Sequence, residues 1–306
     1  MNLESLYIKI EDEITNNNLI INIERESIYI DLKKLDSILT IIFNLCSKNG
    51  YSFSIDRQLY NRCSVDIFEK NSLYKRTIIL NFQNTDSLKT HNLNIKILKS
   101  INITPILGPD GVGKTTLFTE VLKNLQKDKI TYKRFKKIVR RSTLYNIVYP
   151  INRAILKQKL GKKPEKDQHD DRHYILVLIS SLLYYPYLIF ISTFQKKTIF
   201  IDRFFQDSFL ENISFLDEKT SMRKNWKTLL KFVPKTFWLI QLDAKNDIIL
   251  SRKDELTSDD IDRYRELNFK LYLEKPAVVY NYINTENSLD SCKDIMLSMV
   301  KNLKVL

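Results

Sequence analysis

Gly108, Gly111 and Gly113, followed by Lys114 and Thr115, have the types and spacing of a loop that holds an anion with its own backbone. Glycine admits the backbone conformations that turn consecutive N–H groups inward around a phosphate. Lys114 supplies a point charge for β- and γ-phosphates, and the Thr115 hydroxyl stands where it can hold Mg²⁺. The pattern G-x-x-x-x-G-K-T thus marks Gly108, Asp110, Gly111, Val112, Gly113, Lys114, Thr115 and Thr116 as candidate cofactor-binding residues for ATP.

Two further elements carry charge at the end of an apolar run. Residues 198–201 (TIFI) lead into Asp202-Arg203, a carboxylate suited to Mg²⁺ and its waters beside a guanidinium suited to a phosphate. Residues 237–242 lead into Asp243, and a short helical pattern then brings Arg252 and Lys253. In a parallel sheet the ligand crevice lies beyond the carboxyl ends of the strands, so these groups and the glycine loop are expected at one edge.

The elements that must position them follow from periodicity. An apolar strand at 103–107 precedes the loop, and Leu117, Val121, Leu122 and Leu125 repeat at helical spacing after it. Further strands are expected at 130–135, 198–201, 236–242 and 278–283, with an amphipathic helix at 289–303. Alternation of strand and helix predicts a parallel sheet with helices on its faces. Ahead of it, short strand-like runs at 6–10, 19–23, 27–32, 51–55, 65–68 and 77–82, with one helix at 35–47, predict a small α+β unit. The polar, then amphipathic, stretch 83–102 reads as linker and lead-in helix. The division is therefore 1–98, a small α+β N-terminal domain of unassigned role, and 99–306, the α/β domain with the phosphate loop.

At 306 residues, 43% hydrophobic and 28% charged, the chain has the composition of a soluble globular protein. Its net charge of +13 favours polyanionic company. Lysine is spread along the whole chain, so the charge points to phosphates more than to nucleic acid. Three widely separated cysteines in no metal-ligand spacing suit a reducing compartment. No basic segment followed by an apolar run opens the sequence, and a cytoplasmic location is expected. Residues 173–195 contain no Lys, Arg, Asp or Glu, and their apolar core is long enough to span a bilayer. A span would place the loop and Asp202-Arg203 on opposite sides of a membrane, so a buried helix, kinked or broken at Pro186, is expected in preference to membrane contact.

Taken in order, Gly-Pro-Asp-Gly-Val-Gly-Lys-Thr-Thr at 108–116, Ile-Asp-Arg-Phe at 201–204, Leu-Asp-Ala at 242–244 and Arg-Lys-Asp-Glu-Leu at 252–256 resemble the thymidylate kinase family. The resemblance covers about residues 103–306. It implies a P-loop kinase fold and an ATP- and Mg²⁺-dependent transfer of the γ-phosphoryl group to a nucleoside monophosphate such as dTMP, or to a related, sugar-like small acceptor. It also implies roles. Lys114, Asp110, Arg203 and Arg252 would be catalytic, with Arg203 on the acceptor phosphate and Arg252 and Lys253 in a mobile lid. Thr115 and Asp202 would serve the metal. Members of the family often pair, which leaves a homodimer open. Asp243 is followed by Ala244 where the family has proline. Arg134, Arg140, Arg141 and Arg153 are all candidates for the acceptor phosphate, with no spacing that selects one. An ATP-binding regulatory or nucleic-acid-associated module, or a membrane-associated kinase of a sugar or lipid-linked acceptor, are the alternative readings.

Overall fold

A computed structural model describes residues 1–17, 19, 22–24, 27–59, 62–82, 98, 101–125, 130–163, 171–205, 230–253, 256–275 and 277–302. Most of the expected lead-in segment 83–102 lies outside the described residues, as do Asp254 and Glu255 of the run 252–256.

The chain begins with helix α1, Leu3–Asn16, where a strand was expected at 6–10. Leu6, Ile8 and Ile10 alternate as a strand does, but over a longer window the apolar residues Leu3, Leu6, Ile10 and Ile14 repeat at helical spacing. Those four are buried and Ile8 is 54% exposed. The Asn2 side chain settles the start by accepting the Ser5 N–H at 2.8 Å.

Strands β1 (Asn22–Glu24) and β2 (Ser27–Ile30), helix α2 (Leu35–Lys48), and strands β3 (Ser52–Asp56), β4 (Arg62–Phe68) and β5 (Lys75–Phe82) follow. The second half contributes β6 (Ile103–Leu107), helices α3 (Lys114–Lys123), α4 (Phe135–Arg140), α5 (Thr143–Leu160) and α6 (Asp171–Phe194), with β7 (Ile130–Arg134) between α3 and α4. Then come β8 (Thr198–Asp202), β9 (Trp238–Asp243), α7 (Asn246–Arg252), α8 (Ser258–Glu274), β10 (Val279–Asn284) and α9 (Leu289–Asn302). Each strand expected from 103 onward is present, within two residues at either end.

The ten strands among the described residues form one sheet, ordered β1-β2-β5-β4-β3-β10-β9-β6-β8-β7. From β10 to β7 the pairs are parallel, with the loop-bearing β6 between β9 and β8. The N-terminal strands join at β3, which pairs antiparallel with β10. Mixed α/β architecture with helices against the parallel strands is thus the fold observed. One apolar cluster runs from α1 and α2 into β6, β8 and α8. At the junction Phe43 stacks on Phe269 with centroids 4.0 Å apart, and Phe53 stacks on Tyr282 at 5.0 Å. Such aromatic pairs add about 0.5–1.5 kcal/mol beyond their burial, so the two segments are joined by core packing as well as by strand pairing.

Helix α6 runs unbroken through Pro186. It packs against α4, α5, β6 and β8, burying Leu176, Val177, Leu188 and Ile191. Its other face, Ile175, Ile179, Leu183, Tyr187, Phe190 and Phe194, is exposed. The segment 175–194 is long and apolar enough to cross a membrane. The helix is therefore half-buried and has no break at Pro186, where a buried helix, kinked or broken there, was expected.

Candidate active site

Register alone brings the charged residues together. Ile106 of β6 pairs with Asp202 of β8, and Arg134 of β7 also pairs with Asp202. Leu107 pairs with Gln241, two residues before Asp243. The carboxyl ends of four strands therefore share one edge, over which lies a cleft of about 800 Å³. That is within the usual range for a small-molecule site.

The loop between β6 and α3 needs its glycines. A Cβ on Gly108 would lie 2.6 Å from the Leu242 carbonyl oxygen, closer than van der Waals contact allows. Gly113 caps α3 with φ +94°, in the left-handed region. Lys114 is folded back into the loop, its Nζ donating to the carbonyls of Gly108 at 2.6 Å and Pro109 at 2.9 Å. This sets the loop's curvature around its own ammonium, which is 8% exposed. The first turn of α3 brings its free N–H groups and positive dipole end to the same place.

Asp110 is the electrostatic centre. Arg203 Nη2 is 2.6 Å from its Oδ1, Lys114 Nζ is 3.7 Å from Oδ1, and Lys253 Nζ is 3.2 Å from Oδ2. Burial pushes its carboxyl up, but the Arg203 charge and hydrogen bond, with Lys114 and Lys253, more than reverse this and hold it well below the usual carboxylate range. Arg203 adopts φ +66°, a left-handed conformation uncommon for a side chain of this kind. Its backbone N–H donating to Ile106 at 2.9 Å and its pairing with Asp110 hold it there. Strain of this sort collects at functional sites.

Arg252 reaches over the loop, its Nη1 3.5 Å from the Gly111 carbonyl. Asp110, Gly111, Val112, Gly113, Lys114, Thr115, Thr116, Asp202, Arg203, Arg252 and Lys253 all line the cleft. Gly108 lies at the foot of the loop instead, its N–H donating to the Tyr264 hydroxyl at 3.2 Å. Of the four candidate arginines, Arg134 lines the cleft and stands 3.8 Å from Asp202, whereas Arg140, Arg141 and Arg153 are not among its lining residues.

Asp202 has the character of a cation ligand. Its Oδ2 accepts the Tyr132 hydroxyl at 2.8 Å, while its Oδ1 is buried with no hydrogen-bond partner. An oxygen so placed suits a hard divalent cation, which one or two carboxylates, a hydroxyl and substrate phosphates can hold. The Thr115 hydroxyl and Asp202 therefore fit Mg²⁺. Among the described residues no group of three or more His, Cys, Asp or Glu is placed to hold a metal ion by itself, and a cation held mainly through phosphates needs none.

No protein-family model matches the chain, and no characterised protein matches it in sequence. A comparison of structures does find matches among solved proteins. One is thymidylate kinase from Candida albicans, whose reported structure concerns the origin of broad substrate specificity and a novel structural element. It is 14% identical with a TM-score of 0.47, over 67% of this chain and 92% of that one.

Residues that sequence reasoning missed hold the loop from behind. Thr285 Oγ1 donates to Val112 O at 2.8 Å, and Thr285 N to Asp243 O at 2.7 Å. Asp243 itself is paired with Arg265 of α8 through a two-nitrogen fork. Tyr132 lay within an expected strand, but nothing at neighbouring positions signals its partner.

Proposed function

We propose that this protein is an ATP- and Mg²⁺-dependent phosphotransferase that moves the γ-phosphoryl group to a small phosphorylated acceptor, with a nucleoside monophosphate such as dTMP the leading candidate. The observation that carries this reading is the convergence of Lys114, Arg203, Lys253 and Asp110 on one glycine loop, beside a carboxylate oxygen with no partner.

Phosphoryl transfer asks little covalent chemistry of a protein, so positioning and charge stabilisation must supply the rate. An acceptor oxygen attacks the γ-phosphorus, the bond to the β–γ bridging oxygen breaks, and ADP leaves. Lys114 and the loop amides hold the β- and γ-phosphates. Arg203 and Arg134 line the same cleft, and their planar donors would grip the acceptor phosphate. Arg252 and Lys253 close from the lid side over the charge that develops in transfer. Bound through Thr115 and Asp202, Mg²⁺ would neutralise phosphate charge. Asp110 holds Arg203 and Lys253 in place until an acceptor competes for them.

The test is a panel of nucleoside monophosphates, nucleosides and sugars with Mg-ATP, read by ADP release. At least one acceptor should raise turnover well above the slow hydrolysis seen without it, and Lys114→Ala should lose that turnover with the thermal midpoint retained. Full acceptor phosphorylation by Lys114→Ala, or no triphosphate uptake by the native protein in calorimetry, overturns the reading.

A further inference from the structure

Tyr132 touches one of the two residues assigned to the metal and packs against the helix that bears the other. Its hydroxyl donates to Asp202 Oδ2 at 2.8 Å. The carboxylate can only accept, so the phenol proton must point to Asp202. That leaves Asp202 Oδ1, which has no hydrogen-bond partner, for a cation.

The ring is held as firmly as the hydroxyl. Phe118, one turn beyond Thr115 on α3, stacks on Tyr132 at 5.4 Å, and Phe118 in turn meets Phe200 of β8 edge-on at 4.7 Å. Tyr132 pairs with Phe200 across the two strands. The helix bearing Thr115 and the strand bearing Asp202 are thus fixed to one side chain on a third element. Tyr132 does not line the cleft, so it acts through its neighbours and not on substrate.

We infer that Tyr132 is a positioning residue for the divalent cation: its hydroxyl occupies Oδ2 of Asp202, fixes the carboxylate's orientation and leaves Oδ1 for the metal. This inference rests on the phosphotransferase reading above, since it takes Mg²⁺ with a nucleoside triphosphate as the ligand. Groups that orient metal ligands in this way cost about 10–100-fold in metal affinity or activity when removed.

The experiment is calorimetric titration of ATP into the full-length native protein and into Tyr132→Phe, each in EDTA and in excess Mg²⁺. Tyr132→Phe keeps the ring and its stacking, and a thermal scan checks the fold. ATP affinity in EDTA should be unchanged, while the gain in affinity on adding Mg²⁺ should fall about tenfold or more. In an Asp202→Asn background the same change should have little further effect, because the carboxylate that Tyr132 orients for the cation is already gone. Tyr132→His, which keeps an aromatic ring with an N–H donor, should recover part of the metal response, and it replaces the Phe variant should that one not fold. An undiminished Mg²⁺ gain in Tyr132→Phe, or an equal loss of affinity with and without metal, overturns the inference while leaving the phosphotransferase reading intact. A native protein that takes up no triphosphate under either condition overturns both.

Discussion

Arg265→Ala tests how the floor of the phosphate loop is held. Asp243 is buried, its side chain 2% exposed, and takes Nη2 of Arg265 on Oδ1 at 3.1 Å and Nε on Oδ2. The same guanidinium donates to Ala244 O at 2.9 Å and to Asn246 Oδ1 at 3.1 Å. Removing it strands a buried carboxylate and orphans those acceptors, leaving Tyr282 Oη, 2.6 Å from Oδ2, and the Ala244 N–H as the remaining donors. Breaking such a pair from one side costs about 3–5 kcal/mol. At about 2.1 cal/mol/K of unfolding entropy per residue, a 306-residue chain should lose about 5–8 °C in thermal midpoint.

Differential scanning calorimetry on the native protein, Arg265→Ala and the double variant Arg265→Ala with Asp243→Asn reads this directly. The double variant removes the stranded charge and should regain more than half of the loss, although Asp243→Asn alone is no improvement on the native pair. Arg265→Lys keeps the charge without the fork, and should fall between the native protein and the alanine variant. A midpoint for Arg265→Ala within about 2 °C of the native value, or a double variant no better than the single, refutes the stranded-charge argument.

Acid stability should report on Asp110. Its folded pKa is held below the ordinary carboxylate value, so its contribution is complete above that ordinary value and is lost as pH falls through the folded pKa. The stability gap between the native protein and Asp110→Asn should be constant from about pH 7 to 5 and shrink below about pH 4. A gap unchanged down to about pH 3 in urea titrations contradicts the ion-pair cluster. The three thiols should be silent in the folded state: Cys46, Cys63 and Cys292 are at most 2% exposed, and burial pushes Cys63 up to about 12 and Cys292 up to about 11. Ellman's reagent at about pH 8 should label them at the rate of unfolding, and one full equivalent reacting at once would refute their burial.

The parallel half of the sheet was legible because its signals are local. The glycines, Lys114 and Thr115 lie within eight residues, and β6, β8 and β9 are short, mainly apolar runs between polar breaks. The N-terminal half was harder to read. In α1 an alternation three residues deep imitates a strand, and only the buried set Leu3, Leu6, Ile10 and Ile14, with the Asn2 cap, reveals the helix. The apolar stretch of α6 gave no facing direction because it is apolar all round, so only its packing against α4, α5, β6 and β8 distinguishes a buried side from an exposed one.

The site divides along the same line, for a reason the distances in sequence make plain. Groups that face the ligand are named by motifs, since chemistry demands particular residues at particular offsets along one loop. Groups that orient them need only be near in space. Tyr132 is 70 residues from Asp202, Arg265 is 22 from Asp243, and Thr285 is 173 from Val112, so no window of sequence contains both partners. What selects among the arginines is likewise register: Arg134 pairs with Asp202 across β7 and β8, while Arg140 and Arg153 follow on α4 and α5 and Arg141 lies between those helices. Strand order is thus the quantity that turns a list of charged residues into a site. Here β6 between β8 and β9 is the arrangement that brings Lys114, Arg203 and Asp110 to one cleft.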